Sequence, residues 1–384
     1  MYIFSSRILI FIAVIIFSFS CSSTKRISQA TANISSLKLL DVFEIPFNIK
    51  YKNTTVGGLS GIDYDAKKDL YYLVSDDRSE KNPARFYTAK IFITQKGIDS
   101  IVFADVNYML QAGGDVYPDS KQNRFKTPDP EAIRYDPQNN SLVWSSEGER
   151  IIKANDTVLT DPSVLIIRPH GKYIDSFALP PVLKMRATEN GPRRNGVLEG
   201  MSFADNYKTL YVSVEEPLYE DGPRADVADN NAFIRVIKFD VAAKNSTTQF
   251  AYKLEPVAYA AKPETEFKVN GVPDILSLGN NKLLVIERSF STGRIACTIK
   301  VFIADLNNAT DISSATLKDN RSFTPAKKIL LLNMDALGIY TDNIEGVTFG
   351  PVLPNGHKTL LFIADNNFNP LEKAQVLLFE VLED

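Results

Sequence analysis

Five times along the chain, a short apolar run, a polar turn and a second apolar run follow one another. They are GGLSGIDYDAKKDLYYLVSDD (57 to 77), PDPEAIRYDPQNNSLVWSSEGE (128 to 149), GVLEGMSFADNYKTLYVSVEE (196 to 216), GVPDILSLGNNKLLVIERSF (271 to 290) and DNIEGVTFGPVLPNGHKTLLFIADNNF (342 to 368). Short runs rich in β-branched and aromatic residues, joined by Asp, Asn and Gly, read as β-hairpins. Aligning Ser60, Glu131, Glu199, Asp274 and Glu345 gives intervals of 71, 68, 75 and 71 residues, so the chain is built from five similar units.

Two more strand-like runs follow the hairpin within a unit, such as RFYTAKIFI and IDSIVFADV in the first, or SVLIIRP and YIDSFALP in the second. Four antiparallel strands repeated radially make the blade of an all-β, five-bladed β-propeller, with six blades as the alternative if a long insertion hides another. The fifth unit supplies three strands, ending in AQVLLFEVLE; SLKLLDVFEIP (36 to 46) is available to pair there and close the ring.

At the N-terminus, Arg7 precedes the apolar run ILIFIAVIIFSF (8 to 19), too short to span a bilayer comfortably. Ser20, Cys21 and the polar stretch that follows resemble a bacterial lipoprotein signal. This predicts a signal peptide over 1–20, an acylated Cys21, a flexible tether over 21–36 and a propeller over 37–384. Ser22 after Cys21 favours the outer membrane of the cell envelope; a plainly secreted protein is the alternative.

Net charge of −3 with 23% charged residues leaves no basic stripe and excludes a nucleic-acid surface. Cys297 is the one other cysteine and sits in a buried-strand pattern, so Cys-based metal sites are excluded. The two histidines, His170 and His357, fall in turns at the opposite end of the hairpins from Glu199 and its counterparts. With no imidazole at that mouth, a Ser-His-Asp hydrolase is excluded, and any catalysis is metal-led.

The five aligned residues start the innermost strands, so Ser60, Glu131, Glu199, Asp274 and Glu345 are expected to ring the central channel. Four converging carboxylates repel one another unless some take up protons or a cation sits among them. Calcium, which accepts about six to eight oxygen ligands, suits such a donor set. The competing reading is structural: the side chain before each glycine caps backbone N–H groups at a tight bend.

Long polar connections concentrate on the face where these strands begin, which marks it as the working surface. Arg78 and Arg288 are placed there to clamp a phosphate bidentately, with Arg193 and Arg194 as further candidates. Asp76, Asp77, Glu147, Glu215, Glu287 and Asp365 end second strands; Asp76 and Glu215 are the candidates to orient a water or accept its proton. Each arginine also has the plainer option of an ion pair with its sequence neighbours, Arg78 with Asp76, Asp77 and Glu80, Arg288 with Glu287.

LSGIDYD, PEAIRYDP, LEGMSF, LLVIERSFSTG and DNIEGVTFGP, spread over 57 to 368, resemble the bacterial phytase-like family, "esterase-like activity of phytase". The resemblance implies a secreted or lipid-anchored propeller and phosphoester hydrolysis. The order Ser, Glu, Glu, Asp, Glu also looks like the calcium ring of five-bladed calcium-dependent apyrases, with Asp274 standing where that pattern has serine. Two functions follow as expectations. One is an extracytoplasmic, monomeric, calcium-dependent hydrolase of small phosphorylated compounds, held to the membrane by its lipid. The other is a non-catalytic tethered propeller that binds a protein or glycan.

Overall fold

The computed structural model describes residues 32–94, 96–318 and 322–383; the expected signal peptide and Cys21 lie outside the described residues. Among the described residues, no helix is long and apolar enough to cross a membrane. The chain forms a five-bladed β-propeller of four-stranded antiparallel blades. From the axis outward, the first blade runs Leu59–Asp65, Leu70–Ser75, Arg85–Thr94 and Gly97–Tyr108. In the second blade the strands are Pro130–Asp136, Ser141–Ser146, Ser163–Ile167 and Tyr173–Ser176, and in the third Leu198–Ala204, Thr209–Val214, Phe233–Asp240 and Asn245–Lys253. The fifth is Asn343–Phe349, Thr359–Asp365 and Ala374–Leu382, with Ser36–Ile45 added as its outermost strand, so the N-terminal strand closes the ring as expected.

The core lies between the blades. One apolar layer joins Tyr72, Val74 and Phe86 of the first blade to Ile133, Leu142 and Trp144 of the second, and four comparable layers fill the other boundaries. This explains why the second strands are apolar along their whole length, as in LYYLVS and TLLFIAD: both faces of each blade are covered.

The fourth blade departs from the sequence reading. Its innermost strand is split into Lys268–Gly271 and Ile275–Gly279, both paired to a ten-residue second strand, Lys282–Ser291. Pro273 has no N–H to give the ladder, so pairing lapses there and resumes on either side. ERSF lies wholly within this strand, and Arg288 sits opposite Gly271 and Ile299. A short hairpin, Glu149–Lys153 and Asp156–Thr160, lies in the connection after the second strand of the second blade, and Val158 on it is completely buried.

Where the first strands begin, four of the five carry a register shift, at Leu59/Gly61, Pro130/Ile133, Leu198/Met201 and Ile344/Gly346. A bulge re-aims the side chain it carries, and each of these lifts Ser60, Glu131, Glu199 or Glu345 out of the alternation. The glycines that follow answer to crowding at the axis. A Cβ on Gly200 would lie 2.8 Å from the Asp274 backbone, and one on Gly346 2.9 Å from the Ser60 carbonyl.

Three residues further along each first strand stand Asp63, Arg134, Ser202, Ser277 and Thr348, polar in every blade. Arg134, almost fully buried, donates from Nε to the Met201 carbonyl at 2.6 Å and from Nη1 to those of Ile62 at 2.6 Å and Ile133 at 3.1 Å. Its Nη2 reaches both carboxylate oxygens of Asp274, at 2.7 and 2.6 Å. Asp274 in turn accepts from the backbone N–H of Ile275 at 2.8 Å and Val347 at 2.8 Å. One ion pair thus touches the first strand of every blade.

Removing one member of such a pair leaves an uncompensated buried charge, which costs about 3–5 kcal/mol. Arg134→Met is expected to lower unfolding stability by that amount in urea titration, and Arg134→Met with Asp274→Asn to recover part of it; a single variant within about 1 kcal/mol of wild type would show that the pair does not hold the blades.

Candidate functional site

A cavity of about 660 Å³ opens at the end of the channel where the first strands begin. Its lining carries ten carboxylates and three guanidiniums, those of Arg78, Arg288 and Arg294, and no lysine or histidine. His357 is at the other end of its blade, paired through Nδ1 with Glu380 at 2.7 Å.

The structure divides the five aligned residues. Glu131, Glu199 and Glu345 line the cavity. Ser60 donates its hydroxyl to the Glu131 carbonyl at 2.7 Å, and Asp274 faces the channel interior with both oxygens committed to Arg134. The mouth is completed instead by carboxylates at the ends of second strands and in the loops. Ligand oxygens of Asp76, Glu345 and Asp365 lie within 4.8 Å of one another, and so do those of Asp129, Glu131 and Glu147.

This donor set fits a hard divalent cation on two grounds. Glu345 Oε2 and Asp365 Oδ1 are buried without any hydrogen-bond partner, although Asp365 is wholly inaccessible to solvent. Such oxygens are costly unless something positive meets them. The proton affinities tell the same story. Burial, then the charge of Asp129, pushes Glu147 up to about 8; burial and Glu215 push Glu216 up to about 7; and burial outweighs Arg78 to push Asp129 up to about 6. Glu131 and Glu199 are raised well above the usual carboxylate range, by burial first and then by Glu199 on Glu131 and by Glu147 on Glu199. Asp76 is raised likewise, by burial and then Glu345.

The arginine candidates part company. Arg288 extends from the second strand of the fourth blade into the cavity, where Nη2 donates to Glu215 at 2.7 Å and Nη1 to Asn343 and Glu345. Its Nε is buried and unpartnered. Arg78 lines the cavity too, donating from Nη2 to Glu149 at 2.9 Å and lying 3.3 Å from Asp129. Arg193 is occupied elsewhere, donating to the carbonyls of Pro217 and Gly222 and stacking on Tyr219, while Arg194 pairs with Glu149 at 3.0 Å.

Two of the second-strand carboxylates serve structure. Asp77 receives the N–H groups of Glu80, Lys81 and Asn82 together with Arg85 Nη1 at 2.7 Å. Glu287 takes the Tyr252 hydroxyl at 2.8 Å, the Glu255 N–H and the Asn270 amide. Asp129 was not singled out from the sequence, although its position just before the first strand of the second blade, two residues from Glu131, carries the signal.

The family model for phytase-like proteins, esterase-like activity of phytase, matches residues 54–368. No curated protein matches the chain. Among solved structures, an exo-β-1,3-galactanase from Phanerochaete chrysosporium is similar at 12% identity and a TM-score of 0.44, covering 89% of this chain and 64% of its own. This chain therefore spans just under two thirds of that protein's length. A periplasmic gluconolactonase from Pseudomonas aeruginosa is similar at 11% identity and a TM-score of 0.36, covering 86% of this chain and 87% of its own. Neither bears on the site.

Carboxyls with raised proton affinity in the folded state bind more protons there than when unfolded. Their contribution is therefore greatest at low pH and is lost as pH rises from the ordinary carboxylate range toward about 8, where Glu147 titrates. In chelator, the melting temperature is expected to fall as pH rises from about 5 to 8, and calcium is expected to restore it most at the upper end. A melting temperature that is flat across this range in chelator, and indifferent to calcium, would overturn the assignment.

Proposed function

We propose that this chain, which belongs to the phytase-like family described as esterase-like activity of phytase, is a calcium-dependent phosphoester hydrolase of small phosphorylated compounds, tethered at the cell envelope through an acylated Cys21. The observation that carries this reading is the cavity itself: an excess of carboxylates, with orphaned oxygens on Glu345 of its lining and on Asp365 next to it, beside guanidiniums fixed in place. Carboxylates alone would repel a phosphoester, and arginines alone would be neutralised by them. Together they suit an anionic ligand only when a cation joins them.

Glu131, Glu199 and Glu345, with Asp365 beside Glu345, are the residues that would hold calcium. Bound there, the ion would polarise a phosphoryl oxygen and acidify a coordinated water. The chain's own residues supply the rest. Glu215 and Glu345 hold Arg288 from two sides, so its guanidinium is pre-oriented toward the cavity and can donate to phosphoryl oxygens without first being ordered. Arg78 is braced in the same manner by Asp129 and Glu149. Asp76, unlike Asp77, has no hydrogen-bonded loop to support and is available to take the proton of an attacking water. Glu147, with its affinity pushed up to about 8, can hold or release a proton near neutrality.

The test is phosphate release from a panel of phosphomonoesters, in calcium and in chelator, by wild type and Glu199→Gln. Turnover is expected with calcium alone, reduced on the order of a hundredfold or more in the variant. Equal rates in all four conditions would overturn the proposal, and calcium-dependent melting without turnover would point to a binding protein with a structural ion.

A further inference from the structure

The cavity has two chemically distinct sides. Carboxylates from the first three blades, among them Asp76, Asp129, Glu147 and Glu199, occupy one. On the other, built by the fourth blade and the last loop of the fifth, Phe267, Phe290, Ile295 and Leu371 form an apolar stretch beside Arg288, Arg294 and Glu372. Phe267 and Phe290 face each other with ring centroids 6.2 Å apart. Phe267, Ile295 and Leu371 are 52%, 82% and 83% exposed. Large apolar side chains scattered singly over a surface need no explanation, but several gathered on the rim of one concave site mark where an apolar ligand group is received.

Charge points the same way. Once cations have ionised the lining fully, its ten carboxylates still outweigh three guanidiniums and two divalent cations in charge. A polyphosphorylated polyol would place most of its phosphates against those carboxylates, at the cost of like-charge repulsion. One phosphate held by the cation and Arg288, with an uncharged apolar remainder on the opposite wall, avoids that cost.

Resting on the hydrolase reading above, we infer that the substrate is a monophosphate ester of an apolar, aryl-sized group, not a polyphosphorylated polyol. Phe267 and Leu371 set this specificity by removing the apolar group from water.

The full chain with calcium is offered phenyl phosphate, glycerol 2-phosphate and inositol hexakisphosphate. Burial of a phenyl ring is expected to favour phenyl phosphate by about tenfold or more in kcat/KM over glycerol 2-phosphate, with inositol hexakisphosphate the poorest. Phe267→Ala combined with Leu371→Ala is expected to shrink the preference to within about threefold, and Ile295→Ala, in a separate loop, to move it the same way. The inference is overturned if inositol hexakisphosphate is the best substrate or the preference survives these changes. If no ester releases phosphate, the hydrolase reading fails, and calorimetry with phenylphosphonate and methylphosphonate in calcium decides this inference alone. Binding of the phenyl compound about tenfold tighter upholds it; equal affinity, or no binding of either, overturns it.

Discussion

The Arg134 guanidinium and the Asp274 carboxylate meet where the first strands of all five blades converge, and the rest of the molecule is arranged around that contact. A propeller axis is a difficult place for a protein to fill. Five strand starts face one another with backbone groups that have no ladder partner on the inner side, and the space is too narrow for large side chains. An arginine spends five donors at once, and a carboxylate with two oxygens takes up N–H groups from neighbouring strands. Because the pair satisfies itself and the backbone around it, it is not available to the mouth above. The chain thereby separates a neutralised, structural layer in the channel from an uncompensated, acidic layer at its opening.

That separation decides which residues can do chemistry. Had Asp274 joined the other acidic starts, the donors would form a near-symmetric collar on the axis. With Asp274 drawn inward and Ser60 turned to a carbonyl, the remaining carboxylates gather in two groups, one shared by the first and fifth blades and one within the second blade. The fourth blade, relieved of acidic duty, extends its second strand past Pro273 and carries Arg288 out to meet Glu215 and Glu345. The apolar stretch of the cavity wall, Phe267, Phe290 and Ile295, belongs to that one broken repeat.

Much of this was legible in the sequence. The repeat interval, the strand count and the closing role of the residues after Ser36 all rest on alternation and spacing, which local sterics enforce in every blade. The cluster at the mouth was legible in kind, because Glu131, Glu199 and Glu345 precede recognisable strand starts. What escaped was partnership across blades. Whether Asp274 belonged with Glu345 or with Arg134 depends on heights along the axis, and a bulge of one residue changes those heights without changing the repeat. Even so, Arg134 stands alone as a cation among five equivalent positions on strands buried from all sides, and a buried cation requires an anion of its own.

The pairing of Ser36 with Leu382 has a temporal consequence. The last blade is assembled from strands more than three hundred residues apart, so the circle cannot be sealed until Ala374–Leu382 has been synthesised. Until then four finished sheets wait with an open seam, and contacts of such long sequence separation form slowly. An open seam of that kind offers unpaired strand edges to any neighbouring chain.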